Sequence, residues 1–348
     1  MPRIPLHDLS SCEYEHPLDR STLSVLKSIP VVPKLIEIVN IPFNTLIRTN
    51  VFGSLLRVGE NQLPSIYRML CEACGILGVN EPLLYIETNP QINAYTSCPD
   101  QPIIVLSGGL LDSMDDDELM FVIGHELAHI KSQHIVYQTL GSMIKDGLIN
   151  TLLSGIPGIG LVSAEVLNYA YFEWSRAAEL TCDRGGLLAC QNFNASCNAL
   201  MKLAGSSLKY RRELNLDAFI EQGRNFQEID TTALGKIQKV LLSRTMTHPW
   251  TVYRVNQLLK FYESTEYMDV LQRNPQRKAL GAPDVSASIT AQSLAQTGEK
   301  TLETTKVLAA NIAGGTKGAL SGFKKGFLKL AEEEPANKEN GQGSDGQS

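Results

Sequence analysis

The sequence predicts a mainly α protein with a small β-sheet, an α+β fold. Apolar residues recur at helical spacing over most of the chain, and three short runs of strand-forming residues lie close together. Asn-Pro and Pro-Asp turn signals separate those runs. The chain has 348 residues with 43% hydrophobic content, which is enough to bury a substantial core.

The predicted elements follow in order along the chain. Short helical segments interrupted by prolines occupy residues 1–60, and Pro64 opens a helix to about Leu77. A long helix is predicted from Asp115 to about Leu140, because acidic residues suit its first turn and an apolar pattern follows. Between these helices, the predicted strands are residues 83–87, 91–96 and 103–107.

Composition divides the chain into four expected parts. A helical amino-terminal segment packs on a central, mostly helical domain. After Pro283 the composition shifts to Ala, Ser, Thr and Gly, and the end of the chain is polar, which is typical of a disordered tail. The expected boundaries are residues 1–60, 61–282, 283–333 and 334–348.

The net charge and the cysteine content limit the classes of protein to which the chain could belong. The net charge of -6 provides no basic surface for nucleic acid, so no nucleic-acid partner is expected. The seven scattered cysteines are typical of reduced thiols in a cytosol-like compartment. Charges and prolines interrupt the first twenty residues, where a signal peptide needs an apolar run. We therefore expect a cytoplasmic protein without a signal peptide.

Two segments are candidates for peripheral contact with a membrane. Residues 147–172 are largely apolar. Within them, residues 147–164 carry no charge but contain glycines and a proline, which favours a buried or interfacial helical hairpin over a membrane span. Residues 316–331 combine an apolar helical stripe with lysines, which is typical of an interfacial helix. Docking of this second helix on the central domain is an equally compatible alternative.

The clearest chemical motif is His125-Glu126-Leu127-Ala128-His129, an H-E-x-x-H pattern within a predicted helix. Residues four apart share a helix face, so both imidazoles can reach one metal ion. Glu126 can serve as the general base for a water molecule. A catalytic zinc site needs a third protein ligand, and the sequence offers His134 and Glu179.

Glu179 is the better candidate for the third ligand. His134 would lie on the opposite face of a continuous helix, which predicts a structural role for it. Glu179 and Asp183 share a face of another predicted helix. Asp183 can then accept a hydrogen bond from the far nitrogen of a ligand histidine and fix its tautomer. A solvated, salt-bridged helix face is the alternative interpretation of this acidic pair.

These motifs resemble the HtpX and CAAX-prenyl-protease family of zinc metallopeptidases, a gluzincin group. HELAHI is followed by SRAAELTCD, in which the pattern S-R-x-x-E-x-x-x-D is matched. Asn93-Ala94-Tyr95 resembles the family's substrate-binding edge strand. Thr247-His248-Pro249, with Arg254 downstream, resembles the late H-P-x-x-x-x-R element, although Trp250 replaces the usual second proline. The resemblance covers about residues 60–260.

The resemblance implies a zinc metalloendopeptidase, a hydrolase of the EC 3.4.24 type, with proteins or peptides as substrates. A further hypothesis is a peptidase that works mainly at a membrane, in protein quality control. Residues 61–282 then form the metallopeptidase domain. One Zn²⁺ per chain is implied, and Glu126 acts as general base. The implied metal ligands are His125, His129 and Glu179. The other implied roles are oxyanion donor for His248, orientation of a loop or the substrate for Arg254, and substrate pairing for Asn93, Ala94 and Tyr95.

A second function stays open at this point. The chain could be a catalytically idle scaffold that retains zinc, or a membrane-associated binding protein. Loss of Glu126 or of a metal ligand is the expected signature of an idle protein, and the sequence retains all of them.

Overall fold

A computed structural model of the chain describes residues 3–6, 8–29, 32–145, 164–205, 208–229 and 249–272. Over these ranges eleven α-helices accompany one four-stranded sheet, which confirms the predicted mainly α fold with a small sheet. The four domain boundaries remain predictions. Several predicted features lie outside the described residues: His248, residues 147–163 of the apolar segment, the extension 283–333 and the tail 334–348.

Helices supply most of the described structure. Helix α3 has the predicted bounds, and none of the helices in the described ranges is long and apolar enough to cross a membrane. Two short 3-10 helices lie at Ser11–Glu13 and Leu208–Glu213. The α-helices are α1 Pro17–Ser28, α2 Val32–Ser54, α3 Pro64–Leu77, α4 Gly108–Ser113, α5 Asp116–Lys131, α6 Ile135–Lys145, α7 Ala164–Cys190, α8 Phe193–Ala204, α9 Leu216–Ile229, α10 Thr251–Glu263 and α11 Thr265–Leu271.

The sheet is mixed, with strand order β1-β2-β4-β3. Strand β2 runs parallel to β4, whereas β1 and β3 are antiparallel to their neighbours. Strand β3 is therefore at an edge of the sheet, and Tyr95 and Thr96 are opposite Val105 and Ile104 of β4. The strands are β1 Leu56–Arg57, β2 Leu83–Glu87, β3 Ala94–Ser97 and β4 Ile103–Ser107.

The two faces of the sheet lie in different apolar cores. Ile104 and Leu106 of β4 belong to the main core, which includes residues of α3, α5 and the carboxyl-terminal part of α7. Ile103 and Val105 pack with Val51, so the end of α2 covers the other face. This alternation follows from the two-residue period of a strand. All seven cysteines are free thiols, as expected for a chain without a disulfide framework.

Small residues let α5 and α7 cross at close range. A Cβ atom added to Gly124 would lie 2.3 Å from Cβ of Ala189. One added to Gly186 would lie 2.7 Å from the backbone oxygen of Phe121. Real Cβ atoms do not approach other atoms this closely, so the crossing depends on glycine at these positions. The close crossing brings the H-E-x-x-H residues of α5 beside α7.

Helix α5 ends at Lys131, so the predicted continuous helix to about Leu140 is wrong. Gln133 has a φ of 58°, in the left-handed region. The amide of His134 donates to the carbonyl of His129 at 3.0 Å, and that of Gln133 donates to Ile130 at 3.1 Å. These two bonds form a Schellman motif, which satisfies carbonyls at the helix end. The chain leaves the helix there, and the His134 ring lies beside the His129 ring, with 3.1 Å between their Nδ1 atoms.

The amino-terminal helix α1 packs against α7 through a buried polar contact. Asp19 of α1 has no exposed surface. Its carboxylate accepts hydrogen bonds from the indole of Trp174 at 3.1 Å and from the hydroxyl of Thr181 at 2.6 Å. Both donors are on α7. These bonds satisfy part of a buried charge that would otherwise be costly.

Candidate metal centre and active site

The two histidines of the motif face one carboxylate of α7. Nε2 of His125 lies 3.5 Å from Oε2 of Glu179, and Nε2 of His129 lies 3.4 Å from Oε1 of the same residue. The exposed fractions of the three residues are 7%, 3% and 3%. The crossing of α5 and α7 thus brings two imidazole nitrogens and a carboxylate together in a nearly buried position.

This donor set fits a tetrahedral metal ion. Zinc bonds of about 2.1 Å to nitrogen or oxygen place neighbouring ligand atoms about 3.4 Å apart in a tetrahedron. The separations between the imidazole nitrogens and the Glu179 oxygens, 3.5 and 3.4 Å, are close to that spacing. The three residues therefore have the chemistry and the spacing that a zinc ion requires.

Cys182 is an alternative donor near the same histidines. Ligand atoms of His125, His129 and Cys182 all lie within 4.8 Å of one another. Burial, together with nearby carboxylates, raises the pKa of the Cys182 thiol well above its usual value. Only the thiolate is a good ligand. The Glu179 carboxylate lies 3.5 and 3.4 Å from the two Nε2 atoms, so on geometry it is the more suitable third donor.

Asp183 lies next to the His125 ring, on the side of Nδ1. Its Oδ1 is 3.1 Å from Nδ1 of His125. Arg254 of α10 holds both carboxylates: it donates to Asp183 at 2.8 and 2.6 Å, and its Nη1 lies 3.3 Å from Glu179. Arg254 is therefore buried against Glu179 and Asp183, and its implied role in orienting a loop or the substrate stays a prediction.

Burial, charges and hydrogen bonds within this cluster shift the pKa values of its members. Burial favours the neutral form of His125, but hydrogen bonds to Asp183 and Glu179 outweigh burial and raise its pKa to about 9. Burial would raise the pKa of Asp183, but the charge and hydrogen bonds of Arg254 lower it below its usual value. Burial also lowers the pKa of His129. In the metal-free protein, Asp183 is therefore ionised and His129 is neutral near pH 7.

Glu126 borders the cleft in front of the two histidines and is 5% exposed. The hydroxyl of Thr96 in β3 donates to Oε2 of Glu126 at 2.5 Å. Thr96 was not among the predicted site residues, because the edge-strand resemblance ended at Tyr95. The available signal was strand alternation, since residues 94 and 96 share one face of β3.

A second chain of buried polar groups leads away from His129. Nδ1 of His129 lies 3.1 Å from Nδ1 of His134, and Nε2 of His134 lies 3.0 Å from Oδ2 of Asp19. Nε2 of Gln138 is also 3.1 Å from Nδ1 of His129. Burial would raise the pKa of Asp19, but its bonds to His134 and Thr181 lower it. Asp19 was not among the predicted site residues, because no local motif surrounds it.

A cleft of about 460 Å³ opens beside this centre. The edge strand borders it with Asn93, Ala94 and Tyr95, the residues predicted to contact substrate. Helix α2 contributes Asn50 and Val51 from the other side. A larger cavity, of about 1050 Å³, lies at a different place on the surface and contains none of the predicted site residues.

Residues 60–261 match the family model described as Peptidase family M48. The chain belongs to peptidase family M48. This assignment confirms the resemblance to HtpX-type metallopeptidases.

Named relatives within this group support the assignment. The chain is 31% identical over 277 residues to plastoglobule-localized metallopeptidase 48, chloroplastic, of Arabidopsis thaliana, covering 78% of this chain and 79% of that protein. It is 28% identical to a protease HtpX homolog of Ralstonia nicotianae and 26% identical to one of Pelotomaculum thermopropionicum. The matches cover 42% and 45% of this chain and 58% and 65% of those two relatives. No solved structure matches the chain.

Membership of family M48 and the metallopeptidase relatives make the chain a metalloprotease-type hydrolase, with proteins or peptides as substrates. A group of side chains that could hold a metal ion, including His125 and His129, is consistent with this class.

Proposed function

We propose that this M48 chain is a zinc-dependent endopeptidase that holds one Zn²⁺ with His125, His129 and Glu179. The observation that supports the proposal best is the approach of two Nε2 atoms to one carboxylate, at 3.5 and 3.4 Å. Glu126 is adjacent on the cleft side, where a general base is needed. The idle scaffold is less well supported, because the base and the full donor set are present.

A zinc ion held by His125, His129 and Glu179 would supply polarisation of the scissile carbonyl and a water pKa lowered towards about 7. Glu126 accepts the proton of the attacking water and passes it to the leaving amine. The hydroxyl of Thr96, which donates to Glu126 at 2.5 Å, holds that carboxylate in one position. Asp183 holds the His125 ring through Nδ1, and Arg254 keeps the carboxylates of Asp183 and Glu179 in place.

The substrate is proposed to bind as an extended peptide along β3. Strand β3 is at an edge of the sheet, and Asn93, Ala94 and Tyr95 border the cleft that contains Glu126. An exposed edge can pair with an added strand through backbone hydrogen bonds, which are independent of side-chain identity. Such binding suits unfolded chains, so a role in protein quality control is part of the proposal.

His248 is proposed as the donor to the oxyanion that develops on the scissile carbonyl. The support for this role is its match to the H-P-x-x-x-x-R motif, whose arginine, Arg254, contacts the site carboxylates. His248 itself lies outside the described residues. Loss of one oxyanion donor typically lowers turnover by about a hundredfold or more.

Peripheral contact with a lipid surface is a further part of the proposal. The Arabidopsis relative is named for plastoglobules, and this chain carries the candidate segments 147–172 and 316–331. Cytoplasmic localisation remains a prediction. Sedimentation with anionic liposomes, with and without residues 284–348, would test the contribution of the second segment.

The proposed function is tested by metal analysis combined with a proteolysis assay. Purified full-length protein should contain about one zinc per chain and cleave an unfolded protein substrate. Chelation should abolish cleavage, and zinc should restore it. Full cleavage by protein freed of zinc would overturn the proposal.

A further inference from the structure

The two proposed histidine ligands differ in what holds the nitrogen opposite Nε2. For His125 this nitrogen, Nδ1, lies 3.1 Å from the Asp183 carboxylate. For His129 it lies 3.1 Å from Nδ1 of a second histidine, His134. His134 in turn contacts Asp19 through Nε2 at 3.0 Å. Each ligand is thus connected to a carboxylate, directly in one case and through an imidazole in the other.

One set of hydrogen positions can satisfy every contact on the path from His129 through His134 to Asp19. If Nε2 of His129 faces a metal, its Nδ1 carries the hydrogen and donates it. Nδ1 of His134 can accept this bond, which leaves the hydrogen of His134 on Nε2. That Nε2–H then donates to Oδ2 of Asp19. One tautomer of each ring therefore satisfies both contacts.

Asp19 is well suited to end this path. It has no exposed surface, and His134 is 1% exposed. Trp174 and Thr181 donate to the same carboxylate at 3.1 and 2.6 Å, which fixes its orientation. Trp174 also stacks edge-on against the His134 ring, with ring centroids 5.7 Å apart. The imidazole between Asp19 and His129 is therefore restrained on several sides.

We infer that Asp19 and His134 are positioning residues that orient the metal ligand His129, as Asp183 orients His125. This inference rests on the proposed zinc function. It also makes α1 part of the metal centre, because Asp19 lies in the amino-terminal segment, ahead of the family-matched residues 60–261.

Gln138 is the competing partner for the same nitrogen. Its Nε2 is 3.1 Å from Nδ1 of His129, but an amide nitrogen carries only donors and cannot accept from Nδ1–H. Rotation of the amide by 180° would present an oxygen that can accept. A Gln138 variant therefore separates the two possibilities.

We call the path from Asp19 through His134 to His129 the relay. It is tested by the affinity for zinc in the full-length protein, measured by competition with a chelator. Asp19→Asn keeps the size of the side chain and removes its charge. It should weaken zinc binding about 10- to 100-fold, the range typical of lost partners of ligand histidines. The same variant loaded with Co²⁺ should show a changed visible absorption spectrum. Gln138→Ala, the control, should bind zinc with nearly wild-type affinity.

Double variants separate a relay from general destabilisation. Asp19→Asn combined with His134→Phe should weaken zinc binding no more than the stronger single change, because both interrupt one path. Asp19→Asn combined with Asp183→Asn should show losses that add, because each path holds a different ligand. If Asp19→Asn does not fold, His134→Phe is judged by the same affinity and spectral criteria.

These experiments distinguish failure of the relay from failure of the proposed zinc function. Wild-type protein that binds no zinc would overturn both proposals. Zinc binding in the wild type, with unchanged affinity and an unchanged Co²⁺ spectrum in Asp19→Asn, would overturn the relay alone. A loss in Gln138→Ala with none in Asp19→Asn would assign the positioning role to Gln138 instead.

Discussion

The hydroxyl of Thr96 lies 2.5 Å from Oε2 of Glu126, so the strand that borders the cleft also holds the proposed general base. A substrate that pairs with β3 would therefore lie along the same strand that positions this carboxylate. This arrangement links substrate alignment to the orientation of the base, and both depend on the antiparallel pairing of Thr96 with Ile104.

Thr96→Val should lower turnover by about ten- to a hundredfold, because a misplaced reacting group has effects of this size. Thr96→Ser retains the hydroxyl and should recover most of the activity. Zinc content should be the same in both variants, since Thr96 is not a proposed ligand. The turnover number and the Michaelis constant are measured separately; wild-type turnover in Thr96→Val would remove this residue from the positioning of Glu126.

The proposed ligand set predicts a clear pattern of zinc content. His125→Ala, His129→Ala and Glu179→Ala should each lose most of the metal. His134→Ala should retain it at saturating zinc, because His134 acts through His129 and a moderately weaker site still fills. Cys182→Ser is the matched control on α7 and should also retain zinc. Metal loss in Cys182→Ser, with zinc retained in Glu179→Ala, would show that the thiolate is the third ligand.

Zinc affinity should depend on pH through His125. Burial opposes its charged form, but bonds to Asp183 and Glu179 raise its pKa from 6.5 to about 9 in the metal-free protein. Zinc requires the neutral ring, so affinity should rise about tenfold per pH unit up to about pH 9 and then level off. The charged ring also stabilises the metal-free fold below pH 6.5, and this contribution is lost as pH rises through about 9.

Asp183→Asn is the control for this pH dependence. It removes one of the two carboxylates that raise the pKa of His125, so the levelling point should move to lower pH. Chelator competition across pH measures both proteins. A wild-type affinity that does not change between pH 6.5 and 9 would contradict the prediction.

Two glycine substitutions are expected to change the stability of the fold in opposite directions, one at the crossing of α5 and α7 and the other in α3. Gly186→Ala should destabilise the fold by about 1–3 kcal/mol, because its Cβ would meet the Phe121 backbone at 2.7 Å. Gly75→Ala, in α3, meets nothing within 4 Å and should stabilise by up to about 1 kcal/mol. Denaturant unfolding of the metal-free proteins measures both changes. Equal stability of the two variants would show that the crossing tolerates a methyl group.

Sequence periodicity predicted the parts of the fold that depend on local pattern. The bounds of α3 follow from Pro64 at its start and from an apolar stripe that ends just before Gly78, which has a φ of 62°. Two of the strands, residues 83–87 and 103–107, also have the predicted bounds. The end of α5 was missed because its stop depends on Gln133 in a left-handed conformation, where no glycine marks it.

Residues of the site that depend on tertiary contacts were harder to predict. The i, i+4 spacing of His125 and His129 is a signal within one helix, and the same spacing of Glu179 and Asp183 on α7 is another. Asp19 has no such signal, because it reaches His134 only after α1 docks on α7. The contacts of Arg254 likewise depend on how α10 packs against α7.

Replacement of Glu126 by glutamine tests the central claim most directly. Glu126→Gln removes the proposed base but no proposed ligand, and it preserves the shape of the side chain. Zinc content and the cleavage rate of an unfolded substrate are measured in the variant and the wild type under the same conditions. One zinc per chain is expected in both proteins, together with a loss of cleavage in the variant. Cleavage at the wild-type rate by zinc-loaded Glu126→Gln would contradict the claim.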